Sequence, residues 1–497
     1  MVAMRYIALI FLVLTGSLPA EPEAPVSFYK KIRPIFQANC HGCHQPAKAK
    51  GELIMTSFEH LMKGGHDGVS VVAGKPEESL LVKRLRLPRD QEEAMPPKGE
   101  ALSESDLGLV ARWIAEGAHD DTPANAVAKF DTDHPPIYTL PPVINSLDYS
   151  PDGALLAIAG FHEILLHKAD GSGPIARLIG LSDRLTAVRF SPDGKLLAAT
   201  GGLAARMGEV QVWDVEQRKL LLSVPLTNDT IYGLSWSPDG SLIGLGCADT
   251  KSVRALDAKT GEQKLFMASH DDWVFDTVFS TKGDHLVSVG RDMTTKLTEV
   301  TTQRFVDNLT SITPGSLKGG LAAIARHPLR DEVLVGGADG VPQIYRMFRL
   351  VGRRIGDNSN LIKKYPAMTG RIFAVDYSRD GKRIAAGSSL DGHGQVNIAN
   401  AEYDTNLPDN IRAIYGKTGD GRSAEEMAAV EKSVTEGATL LGHLEINSGI
   451  YTVRFSPDGS TLAIAGQDGK IRLLDGNNAA VKTEFLPVTI STTVSAK

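Results

Sequence analysis

A short turn motif recurs beyond residue 140, and it limits the possible folds more than any other feature of the chain. Its seven copies centre on Ser150, Ser191, Ser237, Ser280, His327, Ser378 and Ser456. The clearest copies read Ser-Pro-Asp-Gly, with an alternating segment such as VRF before the turn and an apolar run such as LLAATG after it. Proline and glycine set the geometry of a tight turn, and aspartate bonds back to the local backbone. Each copy therefore predicts two strands joined by that turn.

The spacing of the copies indicates how many strands each repeat contains. Successive turns are 41 to 51 residues apart as far as Ser378, the length of one four-stranded blade of a β-propeller. Seven copies predict seven blades, and hence an all-β propeller over residues 139–490. The segment IYTLPP before the first copy and the segment TEFLPVT after the last are both candidates for the outer strand of the last blade.

The repeat resembles that of WD-repeat propellers. Trp213-Asp214 supplies the Trp-Asp pair in one repeat, and Gly442-His443 is an instance of the Gly-His pair that this family also favours. The resemblance implies a protein-interaction platform, with a protein partner bound on the propeller. Cys247 falls in a predicted apolar strand, so we expect it to be a small buried core residue.

One insertion interrupts the regular spacing. The last two turns are 78 residues apart, and the excess lies in residues 401–437. Residues 423–434 are rich in good helix formers, which predicts a helix. Two interpretations stay open: a tolerated surface insertion, or an element that binds a partner or docks the N-terminal domain.

A second motif, near the N-terminus, carries the chemistry. Cys40 and Cys43 are followed by His44 in the spacing C-x-x-C-H, which is the attachment signature of c-type haem. Each cysteine can form a thioether to the haem, and the histidine is placed to coordinate the iron. A zinc site, a redox-active dithiol and a plain disulfide are the alternatives.

The sixth iron ligand has several candidates downstream. Met95 stands out because Pro96 and Pro97 follow it and disfavour helix, so the loop can hold its sulfur at a fixed point. A methionine ligand is typical of electron-transfer cytochromes. The other candidates are Met55, Met62, His60 and His66. The two methionines lie in a pattern that predicts a short packed helix, and the two histidines are expected to face solvent.

The flanking sequence predicts a small all-α domain over residues 21–120. Apolar residues recur at helical spacing before Cys40, where Pro34 is expected to bend or restart the helix, and again after Ser103, which with Asp106 resembles a capping box. The whole of residues 25–118 resembles the planctomycete-type cytochrome c domain, through the C-x-x-C-H motif, the segment GKPEESLL, the MPP triplet and a final WI..GA helix. The resemblance implies one haem c carried by Cys40 and Cys43, with His44 as proximal ligand and Met95 as distal ligand.

The first residues predict export. Arg5 precedes an apolar run over residues 7–14, and Ala20 ends a small-residue boundary, as in a secretory signal peptide at residues 1–20. The apolar run is shorter than the roughly 20 residues that cross a bilayer. We expect a periplasmic or otherwise extracytoplasmic protein without an integral membrane span. The Pro-containing, weakly periodic residues 121–138 predict a linker.

Composition excludes some functions. The formal net charge is −6 and basic residues do not cluster, which argues against a nucleic-acid partner. Only three cysteines are present, so the chain is not a disulfide-rich scaffold. The sequence favours a non-enzymatic electron-transfer protein whose redox partner is another protein. A propeller-based oxidoreductase that uses the cytochrome domain as its electron port, and a haem-based sensor, are the alternatives.

Overall fold

The computed structural model describes residues 24–41, 43–45, 48–97, 101–122, 130, 134–204, 207–311, 318–354 and 357–491. The predicted signal peptide at residues 1–20 lies outside the described residues, as does much of the predicted linker at residues 121–138. No helix within these ranges combines the length and the apolar content that a bilayer crossing requires.

Residues 24–122 are mainly helical. A π-helical turn at Phe28–Ile32 leads into α1, and a 3-10 turn occupies Lys50–Glu52. The four α-helices are α1 (Arg33–Asn39), α2 (Phe58–Lys63), α3 (Leu80–Leu85) and α4 (Glu104–Ala115). Two short strands, β1 (His44–Gln45) and β2 (Lys48–Ala49), pair antiparallel between the first two helices. Apart from this pairing and the connecting loops, the region is helical as predicted.

Local sequence explains where these helices begin and end. Pro34 lies in the first turn of α1, where its missing N–H costs nothing, and the helix type changes at that point as expected. Ser103 caps α4, because its hydroxyl accepts a hydrogen bond from the Asp106 N–H at 3.1 Å. The buried faces of the helices meet around Trp113, whose ring contacts Phe28, Phe36 and Phe58.

The remainder of the described chain is mostly antiparallel sheet. One sheet has seven strands: β3 (Leu147–Tyr149), β4 (Leu155–Ala159), β5 (Phe161–Lys168), β6 (Pro174–Phe190), β7 (Leu196–Leu203), β8 (Met207–Asp214) and β9 (Lys219–Thr227). Strand β6 is continuous over 17 residues; its first part pairs with β5 and its second part pairs with β7. This sheet therefore holds two four-stranded units that share one strand.

The other five large sheets have four strands each, which pair in chain order. They comprise β10 (Ile231–Trp236), β11 (Leu242–Cys247), β12 (Val253–Asp257) and β13 (Gln263–Met267); β14 (Val274–Phe279), β15 (His285–Gly290), β16 (Thr295–Glu299) and β17 (Arg304–Asn308); β18 (Leu321–Arg326), β19 (Glu332–Gly337), β20 (Gln343–Arg346) and β21 (Leu361–Lys364); β22 (Arg371–Tyr377), β23 (Arg383–Leu390), β24 (His393–Asn400) and β25 (Leu440–Ile446); β26 (Ile450–Phe455), β27 (Thr461–Gly466), β28 (Ile471–Asp475) and β29 (Val481–Phe485). The predicted strands on either side of each turn motif are present.

The turn motif has a repeated hydrogen-bond pattern. In the first copy, the Ser150 hydroxyl accepts from the Leu155 N–H at 2.8 Å and donates to the Asp152 carboxylate at 2.5 Å. Gly153 has a φ of 75°, a conformation that suits glycine. In the fifth copy His327 replaces the serine, and its Nδ1 accepts from the Leu329 N–H at 3.1 Å. A histidine can therefore stand at this position because it also stabilises the turn.

The sheets follow one another and the last returns to the first. The first strands of successive units contact each other, and β26 of the last sheet contacts β3 of the first. Strand β29 is the outer strand of the last sheet, so the C-terminal TEFLPVT segment supplies it. Tyr138, in the IYTLPP segment, forms a parallel bridge to Ile490. Both candidate segments thus lie where the last sheet meets the first. TEFLPVT contributes to the outer strand β29, and IYTLPP contributes the bridge at Tyr138.

The insertion at residues 401–437 is ordered and helical. It contains α5 (Asp409–Tyr415) and α6 (Ala424–Thr435), and the predicted helix corresponds to α6, which Ser423 and Glu426 cap reciprocally. Helix α6 lies against β21 of the preceding sheet, where Val434 is buried and Glu431 pairs with Lys364 at 2.8 Å. The insertion therefore covers the outermost strand of a neighbouring sheet, which would otherwise expose unpaired backbone groups.

Candidate cofactor site

One cavity gathers all four of the residues that the sequence singled out. Cys40, Cys43, His44 and Met95 line a cavity of about 270 Å³ in the helical region. Met55, Arg84 and Lys50 are also among its lining residues. The C-x-x-C-H motif and the MPP loop are about 50 residues apart in sequence, so the fold, rather than chain proximity, brings them to the same space.

The end of α1 positions the cysteine motif. The Cys40 N–H donates to the Phe36 carbonyl at 2.8 Å, which continues the helical pattern by one residue. The Cys43 and His44 N–H groups then both donate to the Cys40 carbonyl, at 3.1 and 3.0 Å. Residues three and four apart in such a turn lie on the same side. This single turn therefore directs both thiols and the imidazole to the cavity.

The two thiols are free and do not form a disulfide. Burial, with Cys43 nearby, raises the pKa of the Cys40 thiol to about 12. A protonated thiol is a poor metal ligand and a poor participant in disulfide exchange. Within the described ranges no group of three or more His, Cys, Asp or Glu side chains is arranged to hold a metal ion. The zinc and dithiol alternatives gain no support from this geometry.

His44 has one ring nitrogen available. Burial lowers the pKa of His44, which keeps the imidazole neutral. The carbonyls of Leu53 and Lys50 oppose this lowering of the pKa without cancelling it. Nδ1 is buried and has no hydrogen-bond partner. A neutral imidazole is the form in which histidine binds a metal.

Two methionines, Met55 and Met95, line the cavity. The Met55 N–H donates to the His44 carbonyl at 2.9 Å, so this methionine lies next to the histidine. Met95 belongs to the loop between α3 and α4, where its N–H donates to the Arg84 carbonyl at 3.1 Å. Arg89 donates to the Pro96 carbonyl at 2.5 Å and so fixes the same loop. Met55 is thus tied through its backbone to the same segment as His44, whereas Met95 is brought to the cavity by a separate loop.

The other candidates from the sequence do not line the cavity. Met62 packs against the helical core. The His60 ring contacts the Ser57 hydroxyl at 2.7 Å, and the His66 side chain is 73% exposed. His41, inside the motif, is buried with its Nε2 2.9 Å from the Met55 carbonyl oxygen. These positions agree with the expectation that the two later histidines face away from the site.

Arg84 is a site residue that sequence reasoning missed. It lies on α3, lines the cavity, and donates from Nη2 to the Asp67 carboxylate at 2.7 Å. The segment RLRLP contains no motif, so only the fold shows that one of its two arginines faces the cavity.

A second unexpected group of charges lies on the first strands of the sheets. This first-strand cluster comprises Asp148, Arg189, Asp276, Asp376 and Arg454. Arg454 lies between two carboxylates, with Nη1 2.8 Å from Asp376 and Nε 3.4 Å from Asp148. Asp148 also accepts from the Phe190 N–H, and Asp376 from the Phe455 N–H, each at 2.8 Å. Each of these carboxylates therefore joins one four-stranded unit to the next.

Ser288, His270 and Asp292 are arranged like a hydrolytic triad, but their side chains are buried. The His270 ring contacts Asp292 through Nδ1 at 3.0 Å and Ser288 through Nε2 at 2.8 Å. The side chains of His270 and Asp292 are 0% and 4% exposed, and Ser288 is fully buried. No substrate can reach these atoms, so the group stabilises its sheet instead of performing catalysis.

Comparison with known proteins identifies two families within the chain. The family model "Planctomycete cytochrome C" matches residues 40–99, and the model "WD domain, G-beta repeat" matches residues 435–475. The first match covers the cysteine motif, the MPP loop and the cavity between them. Both resemblances drawn from the sequence motifs are confirmed.

The curated relatives each match part of the chain. WD repeat and SOCS box-containing protein 1 of Homo sapiens is 36% identical over 103 residues, which is 20% of this chain and 24% of that protein. Coronin-7 of Bos taurus is 29% identical over 294 residues, which is 51% of this chain and 30% of that protein. The chain thus spans about a quarter to a third of the length of these relatives. It contains a cytochrome domain and a WD repeat, and its relatives are WD-repeat proteins.

Proposed function

We propose that this chain is an exported monohaem c-type cytochrome that carries single electrons and binds a protein partner through a seven-bladed WD-repeat propeller. The observation that carries the proposal is the convergence of two thiols, a neutral imidazole and a thioether on one cavity. These are the side chains that attach and ligate haem c. The family match over residues 40–99 supports the same assignment.

The residues around the cavity fit the group. Cys40 and Cys43 would hold one haem through thioethers, and His44 and Met95 would bind its iron. When bound, the haem would supply a reversible one-electron change at iron. The protein's part is to fix the ligands: the His44 N–H donates to the Cys40 carbonyl, and the Arg84 carbonyl and Arg89 hold the Met95 loop. A histidine and a methionine as the two iron ligands would favour electron transfer over small-molecule activation.

The proposed organisation follows the sequence boundaries. Residues 1–20 are a signal peptide, residues 21–120 the cytochrome domain, residues 121–138 a linker and residues 139–490 the propeller with its insertion at 401–437. The protein would act in the periplasm or another extracytoplasmic compartment, where haem c is attached. Seven blades are supported by the four-stranded units, including the two that share β6, and by the contact of β26 with β3. WD-repeat relatives favour a protein-interaction role for this part.

The alternative of a catalytic site on the sheets has less support. The first-strand cluster brings charged groups together, but its carboxylates are occupied by backbone N–H groups and Arg454. The side chains of His270 and its partner Asp292 are almost completely buried, so solvent and substrate do not reach them. Neither arrangement leaves a free nucleophile or base facing an accessible space.

The test is export of the full chain in a host that attaches haem c, followed by a haem-stained denaturing gel and by oxidised and reduced spectra. We expect one covalent haem per chain and a methionine-to-iron charge-transfer band. Met95→Ala should abolish that band, whereas Met55→Ala, which removes the other cavity methionine, should leave it in place. A chain without covalent haem would refute the proposal. A band lost in Met55→Ala and kept in Met95→Ala would reverse the ligand assignment.

A further inference from the structure

Two buried polar atoms in the helical region have no hydrogen-bond partner. Among the described residues of the range 24–122 these are His44 Nδ1 and Arg84 Nε, and both residues line the same cavity. A buried donor or acceptor without a partner costs about 1–3 kcal/mol. The coincidence of two such atoms at one cavity indicates a bound group that satisfies both. A metal ion accounts for the histidine, but a cationic guanidinium cannot ligate it.

The position of Arg84 is fixed by packing. It lies on α3, whose Leu81, Val82 and Leu85 are buried in the helical core. Its Nη2 donates to Asp67 at the outer side, and the Arg84 side chain is 26% exposed, whereas that of Asp67 is 47% exposed. The Nε–H group thus remains without an acceptor. The guanidinium has an anionic partner in Asp67 and a buried donor without an acceptor, on a residue that lines the cavity.

Arg84 also contacts the loop that carries Met95. Its carbonyl accepts the Met95 N–H at 3.1 Å, and both residues line the cavity. The same residue thus connects the free donor to the loop that carries the proposed distal ligand.

A carboxylate is the acceptor that best suits the unpaired Nε–H donor of Arg84. Arginine N–H groups recognise carboxylates through charge-assisted hydrogen bonds, which are stronger than neutral ones. A haem carries two carboxylate side arms on the edge of its ring. The acidic residues at the cavity, Asp67, Glu92 and Glu93, would repel such an arm, whereas Arg84 and Lys50 would attract it. Of these two cations, Arg84 is the one with a buried donor that lacks a partner.

We propose that Arg84 binds a carboxylate side arm of the haem and, through its positive charge, raises the reduction potential of the iron. This inference rests on the proposed function. A nearby positive charge stabilises the reduced haem, which has one positive charge fewer than the oxidised form. Asp67 opposes this effect, because it shares the guanidinium and adds a negative charge. Arg84 acts here as a positioning residue and does not itself bind the iron.

The experiment is an equilibrium redox titration of the exported, haem-loaded full chain. Arg84→Gln should lower the ratio of reduced to oxidised haem at a fixed potential by about tenfold, equivalent to 59 mV for a one-electron couple. Asp67→Asn should change the ratio in the opposite direction, and Arg84→Lys should lie near the unaltered protein. The matched control is Arg86→Gln, because Arg86 pairs with Glu77 on the surface and does not line the cavity; it should leave the ratio unchanged.

Resonance Raman spectra add a direct measure of the contact. The bending vibration of the haem carboxylate arm should shift in Arg84→Gln and not in Arg86→Gln. If Arg84→Gln carries covalent haem but has the same potential and vibration as Arg86→Gln, the role of Arg84 is refuted while the cytochrome assignment stands. If Arg84→Gln fails to accumulate haem, the direction of the Asp67→Asn change decides: an upward shift supports the proposal and no shift refutes it. Absence of covalent haem in the unaltered chain would refute both.

Discussion

The helical region and the sheets differ in where their unsatisfied polar atoms lie. Among the described residues of the range 24–122, the buried side-chain atoms without partners belong to His44 and Arg84, and both residues line one cavity. In the sheets, such atoms occur in several units, and some lie in one unit, as do those of Arg346 and Asn360. Unsatisfied atoms therefore do not mark a ligand site by themselves. What distinguishes the helical region is that its two residues line the cavity proposed to hold the cofactor.

This comparison predicts different responses to loss of the cysteines. Cys40→Ala combined with Cys43→Ala should abolish covalent haem and remove much of the apolar core that the haem would complete. We expect amide exchange in α1 and α4 to rise towards that of an unfolded segment, while the sheet amides keep their protection. The measurement is hydrogen exchange on the exported full chain.

Cys247→Ala is the matched control, because this third cysteine is buried in β11. It should retain haem and leave α1 and α4 protected. If the double variant kept full protection in both helices, the helical region would fold without the cofactor as the sheets do. The predicted difference between the two regions would then be refuted.

A second prediction concerns the first-strand cluster. Arg454→Met should lower the free energy of unfolding by about 3 kcal/mol, because it removes the guanidinium between the largely buried carboxylates of Asp148 and Asp376. Arg189 then remains as the one cation of the first-strand cluster. Urea unfolding of the full chain, followed by far-ultraviolet circular dichroism, measures the loss. Arg379→Met, at an exposed position in the turn that follows the strand of Asp376, should cost less than about 1 kcal/mol.

A triple variant separates charge from packing at this cluster. When Asp148→Asn and Asp376→Asn are added to Arg454→Met, most of the loss should be recovered, because no uncompensated charge remains. Equal loss in the single and the triple variant would mean that the shape of Arg454, rather than its charge, stabilises the contact between the last sheet and the first.

Sequence reasoning succeeded where a feature is local. The turn motif fixes its own hydrogen bonds within five residues, as at Ser150, and the C-x-x-C-H motif lies within one helical turn. Both families and the strands beside each turn could therefore be predicted. The helix-forming residues 423–434 were equally local, and they predicted α6.

Features that depend on distant residues could not be predicted. Arg84 and Arg86 have the same local sequence character, and only the packing of α3 decides which one faces the cavity. Asp148 and Arg454 meet because the last sheet returns to the first, which no short window reveals. The sequence also left Met55 open as an iron ligand, and the pairing of its N–H with the His44 carbonyl was needed to place it beside the histidine.

The smallest expected effect tests whether buried polar groups of the sheets are satisfied internally. Asp292 is the partner of His270, and its carboxylate also accepts from the Asp271 N–H at 3.0 Å. Burial would raise the pKa of Asp292, but the hydrogen bond and charge of His270 outweigh it and lower that pKa to about 2. The unfolded value is near 3.9. The resulting stabilisation of about 2 kcal/mol is therefore complete above about pH 4 and is lost as the pH falls toward 2.

Asp292→Asn should accordingly reduce the free energy of unfolding by about 2 kcal/mol at pH 7 and by progressively less between pH 4 and pH 2. Urea unfolding of both chains at several pH values gives the difference directly. Asp271→Asn changes an exposed side chain beside His270 and should show no such pH-dependent difference. A difference between Asp292→Asn and the unaltered chain that is the same at pH 7 and pH 2.5 would mean that the carboxylate charge is not what His270 stabilises.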